Sequence, residues 1–127
     1  MPVLGIGGLF FRAADPDALS AWYREHLGIG AGCVATEGAE PEEYSWQAEG
    51  GPVVFAPFKA DSDYFSADKQ FMLNLRVRDL DSLLEQLHAA GIAVITKPEW
   101  NDPTTGQFAR IHDPEGNEIE LWEPPVA

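Results

Sequence analysis

Apolar and polar positions follow the same order twice along the chain. Residues 8–19 and residues 72–83 each begin with an alternating, largely apolar stretch and continue directly into a helical pattern. Identical residues recur in register, namely Arg12 and Arg76, Asp15 and Asp79, Asp17 and Asp81, and Leu19 and Leu83. Each copy therefore predicts a strand followed by a helix, and the repetition predicts two equivalent units.

Both predicted helices have clear start and stop signals. Asp15 and Asp79 can accept hydrogen bonds from free first-turn amides, and Pro16 stands where a missing N–H costs nothing. One apolar stripe at helical spacing follows in each copy, formed by Leu19, Trp22, Tyr23 and Leu27 and by Leu80, Leu83, Leu84 and Leu87. We expect the helices to end near Gly28 and Gly91.

Short extended stretches separated by turn residues follow each predicted helix. They lie at about 32–36, 43–48 and 52–58 in the first half and at 92–96, 107–112 and 117–123 in the second. We therefore predict an α+β fold of two tandem βαβββ modules, each a curled mixed sheet with a helix on its outer face. The modules are residues 1–58 and 70–127, joined by a polar linker at 59–69 within a single domain of residues 1–127.

Alternation along the repeated strand separates its two faces. The helix-facing set is wholly apolar and consists of Phe71, Leu73, Leu75 and Val77. Met72, Asn74 and Arg76 point the other way, as do Gly8, Phe10 and Arg12 by the register of the repeat. Because this second face is partly polar, it suits a cavity better than a sealed core.

The last two strands allow their pairing register to be predicted. Residues 113–117, Asp-Pro-Glu-Gly-Asn, form a strong turn sequence. With these five residues as the loop, Ile111 faces Ile119, whereas a shift of one residue sets Ile111 opposite Glu118. The other face then carries the pairs Phe108–Trp122, Arg110–Glu120 and a solvated His112–Glu118. We predict that Arg110 and Glu120 pair across the strands, either as a structural ion pair or as the polar floor of a ligand cavity.

Composition narrows the classes of partner. The 127 residues include 21 acidic and 8 basic side chains, for a formal net charge of −13. Nucleic acids and anionic membranes are bound through clustered lysines and arginines, so neither is an expected partner. Cys33 is the single cysteine, which excludes an intrachain disulfide and a thiolate metal cluster. Without a membrane-length apolar run or a signal peptide, we expect a cytoplasmic protein.

The repeated plan, the sequence from Asp15 to Tyr23 and the closing sequence from Asp113 to Leu121 resemble a known superfamily. It comprises the glyoxalase, bleomycin-resistance and extradiol-dioxygenase proteins, also called the vicinal oxygen chelate (VOC) superfamily. The resemblance covers essentially the whole chain. It implies two βαβββ modules around one cavity, commonly in a homodimer, and in metal-dependent members one metal ligand from each of four strands.

The four ligand positions implied by the resemblance fall on Gly8, Phe55, Met72 and Glu120. The first two have no donor atom, and a methionine thioether is a poor ligand for hard or borderline divalent ions. Glu120 alone keeps a family ligand, and one carboxylate cannot hold a catalytic metal. We therefore predict no metal and no cofactor, the more so because Arg110 offsets the charge of Glu120.

The leading hypothesis is a small-molecule-binding protein of the glyoxalase and bleomycin-resistance type. Its ligand is expected to be largely apolar and aromatic, with one polar handle, in a cavity lined by Phe10, Phe55, Met72, Asn74, Phe108, Arg110, Glu120 and Trp122. One alternative is a lyase or isomerase like lactoylglutathione lyase, with Glu120 as catalytic base and Arg110 stabilising an oxyanion. Another is a structural module with a filled cavity. Whether Trp46 and Trp100 face the cavity is open at this stage.

Overall fold

The computed structural model describes residues 2–30 and 46–125, which fall into two compact units divided between Trp46 and Gln47. The first unit contains helix α1 (Pro16–Leu27). The second contains β1 (Leu73–Arg76), α2 (Leu80–Ala89), a short 3-10 helix (Pro98–Trp100), β2 (Gln107–His112) and β3 (Glu118–Glu123). Neither α1 nor α2, the helices of the described residues, is long and apolar enough to cross a membrane.

The boundaries of α1 are those that the sequence predicts. The Asp15 side chain accepts a hydrogen bond from the Ala18 amide at 3.1 Å, and Pro16 occupies the first turn. Gly28 ends the helix in the left-handed region at φ 69°, a conformation that glycine adopts without strain. The stripe residues Leu19 and Tyr23 are buried, which confirms the apolar face of this helix.

Helix α2 is held to the sheet at its first turn. The Asp79 side chain accepts from the amide and the hydroxyl of Ser82 at 3.4 and 2.8 Å. The backbone amide of Leu80, the first residue of α2, donates to Glu123 Oε1 at 2.6 Å and so connects the start of the helix to β3. Leu80 and Leu87 are almost fully buried, and Gly91 follows the helix at φ 81°.

The sheet has the order β1-β3-β2, with β1 parallel and β2 antiparallel to β3. The hairpin register predicted from the sequence is confirmed at all its pairs, including Arg110 opposite Glu120 and Ile111 opposite Ile119. On one face of the β2–β3 hairpin, Ala109, Ile111, Ile119 and Leu121 are wholly inaccessible to solvent. The other face carries Arg110 and Glu120, and the β1 register brings Asn74 beside Glu120.

The hairpin loop is built around a buried carboxylate. Asp113 is 4% exposed and accepts from the Glu115 amide at 2.9 Å and the Asn117 amide at 3.0 Å. It also accepts from the Asn117 side-chain amide at 2.8 Å. Gly116 supplies the positive φ, 82°, that the turn requires. The loop thus fixes the register that places Arg110 opposite Glu120.

The prediction for the first module differs from the structure. Residues 2–15 and 46–58 contain no strand, although strands were expected near 8–12 and 52–58. A strand requires a hydrogen-bonded neighbour, and within the described residues neither segment has one in the sheet. The strand expected at 32–36 and residues 43–45 of the strand expected at 43–48 lie outside the described residues, and residues 46–48 contain no strand. In the second half, the stretch at 92–96 contributes a single bridge, between Ile95 and Arg110.

Asp113→Ala is expected to destabilise the hairpin loop. Removing this carboxylate leaves three donors without their acceptor, so we expect a loss of about 2–3 kcal/mol in the free energy of unfolding. Chemical denaturation followed by circular dichroism measures it. Glu85→Ala, at an exposed position of α2, is the matched control and is expected to change stability by less than about 0.5 kcal/mol. Equal effects of the two substitutions would contradict the role given to Asp113.

Candidate functional site

The candidate site is centred on the guanidinium of Arg110 in the middle of β2. Arg110 is 8% exposed, so the charged group is almost entirely withdrawn from solvent. Its Cζ lies 4.8 Å from the ring centroid of Tyr64 and 5.2 Å from that of Trp100. Cation–π contacts of this kind gain strength when the cation is desolvated. Trp100, whose position the sequence left open, therefore belongs to the site.

Arg110 makes its closest charged contact with Glu118, not with Glu120. Its Nη1 donates to Glu118 Oε2 at 3.0 Å and to the backbone oxygen of Tyr64 at 2.8 Å. Its Nη2 lies 3.8 Å from Glu120 Oε2, within ion-pair range but beyond a hydrogen bond. Nε and Nη2 are buried, and neither has a hydrogen-bond partner in the described part of the chain. The predicted Arg110–Glu120 pair is thus present as a charge contact.

The sequence predicts a solvated pair of Glu118 with His112, but the Glu118 side chain is largely buried. The Glu118 side chain is 13% exposed, and His112 Nε2 is 4.0 Å away. The carboxylate is covered because the Ser66 amide donates to its Oε1 at 2.9 Å. The segment that covers Glu118 comes from elsewhere in the chain, so the alternating pattern of the strand alone does not predict its burial.

Glu120 has both carboxylate oxygens engaged by neutral donors. Oε1 accepts from the Asn74 side-chain amide at 2.7 Å, and Oε2 accepts from the Tyr64 hydroxyl. The Glu120 side chain is 10% exposed. β1 supplies Asn74, β3 supplies Glu120 and β2 supplies Arg110, so three strands and Tyr64 build the cluster.

Tyr64 is the site residue that sequence reasoning missed. It belongs to the predicted linker, 59–69, whose residues 61–67 we call the strap. Phe58 packs against the rings of Tyr64 and Phe65, with centroids at 5.4 and 5.7 Å. Burial, together with the hydrogen bond to Glu120 and the charge of that carboxylate, raises the pKa of Tyr64 to about 12. The available signal was the pair Tyr64-Phe65 inside an otherwise polar segment.

An open cleft of about 470 Å³ lies along the strap. Its walls are residues 61–67 together with Arg110 and Glu118. The cleft therefore shares its floor with the Arg110 cluster. Of the residues predicted to line a cavity, Arg110 is the one that borders this cleft.

The other predicted cavity residues are distributed as follows. Phe108 and Trp122 stack on the Arg110 face, with centroids 6.3 Å apart and planes 10° apart. Trp122 also donates from Nε1 to the Thr105 backbone oxygen at 2.8 Å. Met72 is half-buried just before β1. Phe10, in the first unit, and Phe55 are 97% and 87% exposed, so neither side chain is enclosed, and their role in binding stays a prediction.

The chain matches the family model of the glyoxalase-like domain over residues 8–122. This chain belongs to the glyoxalase-like family. The resemblance to the VOC superfamily, which rests on the closing hairpin and the repeated strand and helix, is thereby confirmed.

Several known proteins are similar to parts of this glyoxalase-like chain. The uncharacterized protein YraH of Bacillus subtilis (strain 168) is 30% identical over 57 residues, 45% of this chain and 44% of YraH. TnmS3, an antibiotic binding protein from Streptomyces sp. CB03234, is 36% identical over 41% of this chain and 40% of its own, with a TM-score of 0.35. A glyoxalase/bleomycin resistance protein from the same strain is 35% identical over 40% of this chain and 42% of its own, with a TM-score of 0.34. Each match spans less than half of either protein.

The metal site implied by the VOC superfamily does not fit the residues present here. Gly8, Phe55 and Met72 offer no suitable donor, and both oxygens of Glu120 already accept hydrogen bonds. Throughout residues 2–30 and 46–125, no three His, Cys, Asp or Glu side chains are grouped so that they could hold a metal ion. A divalent metal site needs three or four protein ligands, which this position does not supply.

The raised pKa of Tyr64 leads to a pH-dependent stability prediction. The native state holds the phenol proton more tightly than the unfolded chain, whose tyrosine pKa is about 10. The stabilisation is therefore complete below about pH 10 and is lost as the pH rises towards 12. We expect the difference in unfolding free energy between the wild type and Tyr64→Phe to be constant from about pH 7 to 9 and to shrink above about pH 10. Denaturation curves at each pH measure it, and a constant difference up to pH 11 would contradict the assignment.

Proposed function

We propose that this glyoxalase-like chain binds a small organic molecule, without a metal ion, in the cleft beside Arg110. The observation that carries the proposal is the state of the Arg110–Glu120 cluster. The Glu120 carboxylate is engaged by O–H and N–H donors, while the Arg110 guanidinium lies against aromatic rings. Within the described residues, Arg110 Nε and Nη2 have no hydrogen-bond partner. This arrangement suits recognition of an organic ligand.

Independence from metal is supported by the charge around Glu120. A cation that approached this carboxylate would have to displace the Tyr64 and Asn74 donors. It would also meet the positive charge of Arg110, whose Nη2 is 3.8 Å from Glu120 Oε2. These contacts favour hydrogen-bond donors over metal ions at the one position that retains a family ligand.

An aromatic ligand is supported by the rings that surround the cluster. Tyr64 and Trp100 contact the guanidinium, and Phe108 and Trp122 stack on the same face of the sheet. Planar groups stack on guanidinium planes and on one another, so this face matches a flat molecule. The cleft beside Arg110 has a volume of about 470 Å³ and is open to solvent along the strap.

No specific observation favours the lyase alternative. Among the described residues, Glu120 is contacted by hydrogen-bond donors, and no group of metal ligands lies beside it. The arrangement of residues 1–58 and 70–127 as tandem modules around a linker at 59–69 stays a prediction. Homodimer formation and a cytoplasmic location also stay predictions.

The proposal predicts that the protein prefers aromatic to saturated ligands. We expect 2-naphthol to bind at least about tenfold more tightly than decahydro-2-naphthol, and an excess of EDTA to leave both affinities unchanged. The reason is that stacking on the Arg110 guanidinium and on the Tyr64 and Phe65 rings of the cleft wall is available to the aromatic molecule alone. Titration followed by ligand-observed NMR measures both dissociation constants.

Arg110→Lys tests whether this binding occurs at the proposed site. Lysine keeps the charge that Glu118 needs but lacks the planar group, so we expect at least about tenfold weaker binding of 2-naphthol. Arg78→Lys, at a side chain that is 80% exposed, is the matched control and is expected to bind as the wild type does. Absence of 2-naphthol binding, loss of binding in EDTA, or equal affinities of the two variants would each overturn the proposal.

A further inference from the structure

The position of Tyr64 bears on the class of ligand, an inference that rests on the proposed function. The strap places a phenol on the cluster from 56 residues away in sequence. The hydroxyl donates to Glu120 Oε2 while the ring centroid lies 4.8 Å from the Arg110 guanidinium carbon. A tyrosine side chain therefore already makes, inside the molecule, the two contacts that a phenolic ligand could make.

The formal charges of the cluster favour a neutral donor. Arg110 contributes one positive charge, and Glu118 and Glu120 contribute two negative charges, so the cluster has one negative charge in excess. The donors that compensate for it are neutral, namely the Tyr64 hydroxyl, the Asn74 amide and the Ser66 backbone N–H. A ligand carrying a carboxylate would add to the excess, whereas a hydroxyl would replace the Tyr64 donor without a change in charge.

The strap is held in place by contacts that do not involve the Tyr64 ring. The Tyr64 backbone oxygen accepts from Arg110 Nη1 at 2.8 Å, and the Ser66 amide donates to Glu118 Oε1 at 2.9 Å. The phenol can therefore be removed or swung away while the backbone of the strap stays attached. The cleft of about 470 Å³ runs along this same strap and reaches Arg110.

We infer that Tyr64 is an internal occupant of the ligand site and that the ligand is an aromatic alcohol whose hydroxyl takes the place of the Tyr64 hydroxyl on Glu120. The ligand ring lies against the Arg110 guanidinium in place of the Tyr64 ring. Binding in the wild type then requires displacement of Tyr64. The apparent affinity is therefore the intrinsic affinity multiplied by the fraction of molecules in which the site is open.

The test uses the 127-residue chain and p-cresol, which is the side chain of tyrosine as a free molecule. If Tyr64 occupies the site in nine of ten molecules or more, Tyr64→Ala is expected to bind p-cresol at least about tenfold more tightly than the wild type. Phe71→Ala removes an exposed aromatic ring outside the cleft and leaves Tyr64 on Glu120, and it is expected to bind as the wild type does. Ligand-observed NMR titrations give the dissociation constants, and circular dichroism checks that each variant is folded.

Two further probes test the hydroxyl. In Tyr64→Ala, 4-methylanisole, which cannot donate, and 4-methylbenzoate, which is anionic, are each expected to bind at least about tenfold more weakly than p-cresol. Tyr64→Phe keeps the ring and serves if Tyr64→Ala fails to fold, because loss of the Glu120 contact alone is expected to strengthen p-cresol binding several-fold.

The failures of the two proposals are distinguishable. If 2-naphthol binds the wild type and depends on Arg110, yet p-cresol binds the wild type and the folded Tyr64 variants equally, the inference about Tyr64 is wrong and the proposed function stands. Equal binding of p-cresol and 4-methylanisole also overturns the inference, as does tighter binding of 4-methylbenzoate, which would make Arg110 the polar handle. If no aromatic probe binds any variant, both proposals are overturned.

Discussion

The burial of one guanidinium against two carboxylates is the constraint on which the rest of this site depends. A charge withdrawn from water is tolerated only where partners replace its hydration. Arg110 obtains Glu118 as a hydrogen-bonded partner and Glu120 as a second charge at 3.8 Å because the hairpin register sets all three on one face. A shift of one residue would move Arg110 to the face that holds the fully buried Ile111 and Ile119. The Asp113 loop, by fixing that register, is therefore a condition for the site.

The fold was predictable wherever local chemistry sets the outcome. The helix caps at Asp15 and Asp79 and the hairpin register follow from side chains within a few residues of the feature that they determine. Tyr64 was not predictable in this way, since its contact with Glu120 joins residues 56 positions apart. No periodic pattern reports on such a contact, and a polar segment between two modules is read as a linker. The strands expected near 8–12 and 52–58 are not observed, for a related reason. An extended sequence pattern does not supply the hydrogen-bonded neighbour that a strand needs.

The role of Glu120 depends on its neighbours as well as on its position in the glyoxalase-like family. In isolation, a glutamate at a family ligand position favours a metal centre. Its neighbours decide otherwise, since an arginine, an amide and a phenol surround it within the described residues. Family membership alone therefore does not identify the chemistry of the site, which depends on the contacts of these side chains.

The negative charge left over in the cluster links the fold to selectivity. Two carboxylates and one guanidinium cannot balance, so the strap contributes neutral donors to the carboxylates, through the Tyr64 hydroxyl and the Ser66 amide. Any conformation in which the strap side chain leaves Glu120 must therefore supply another donor, or leave a nearly buried carboxylate with fewer hydrogen bonds than it has now. Water can serve as that donor only if the cleft opens enough to admit it. A ligand that brings its own hydroxyl removes this penalty, which is how a site with surplus negative charge can select neutral molecules over anions.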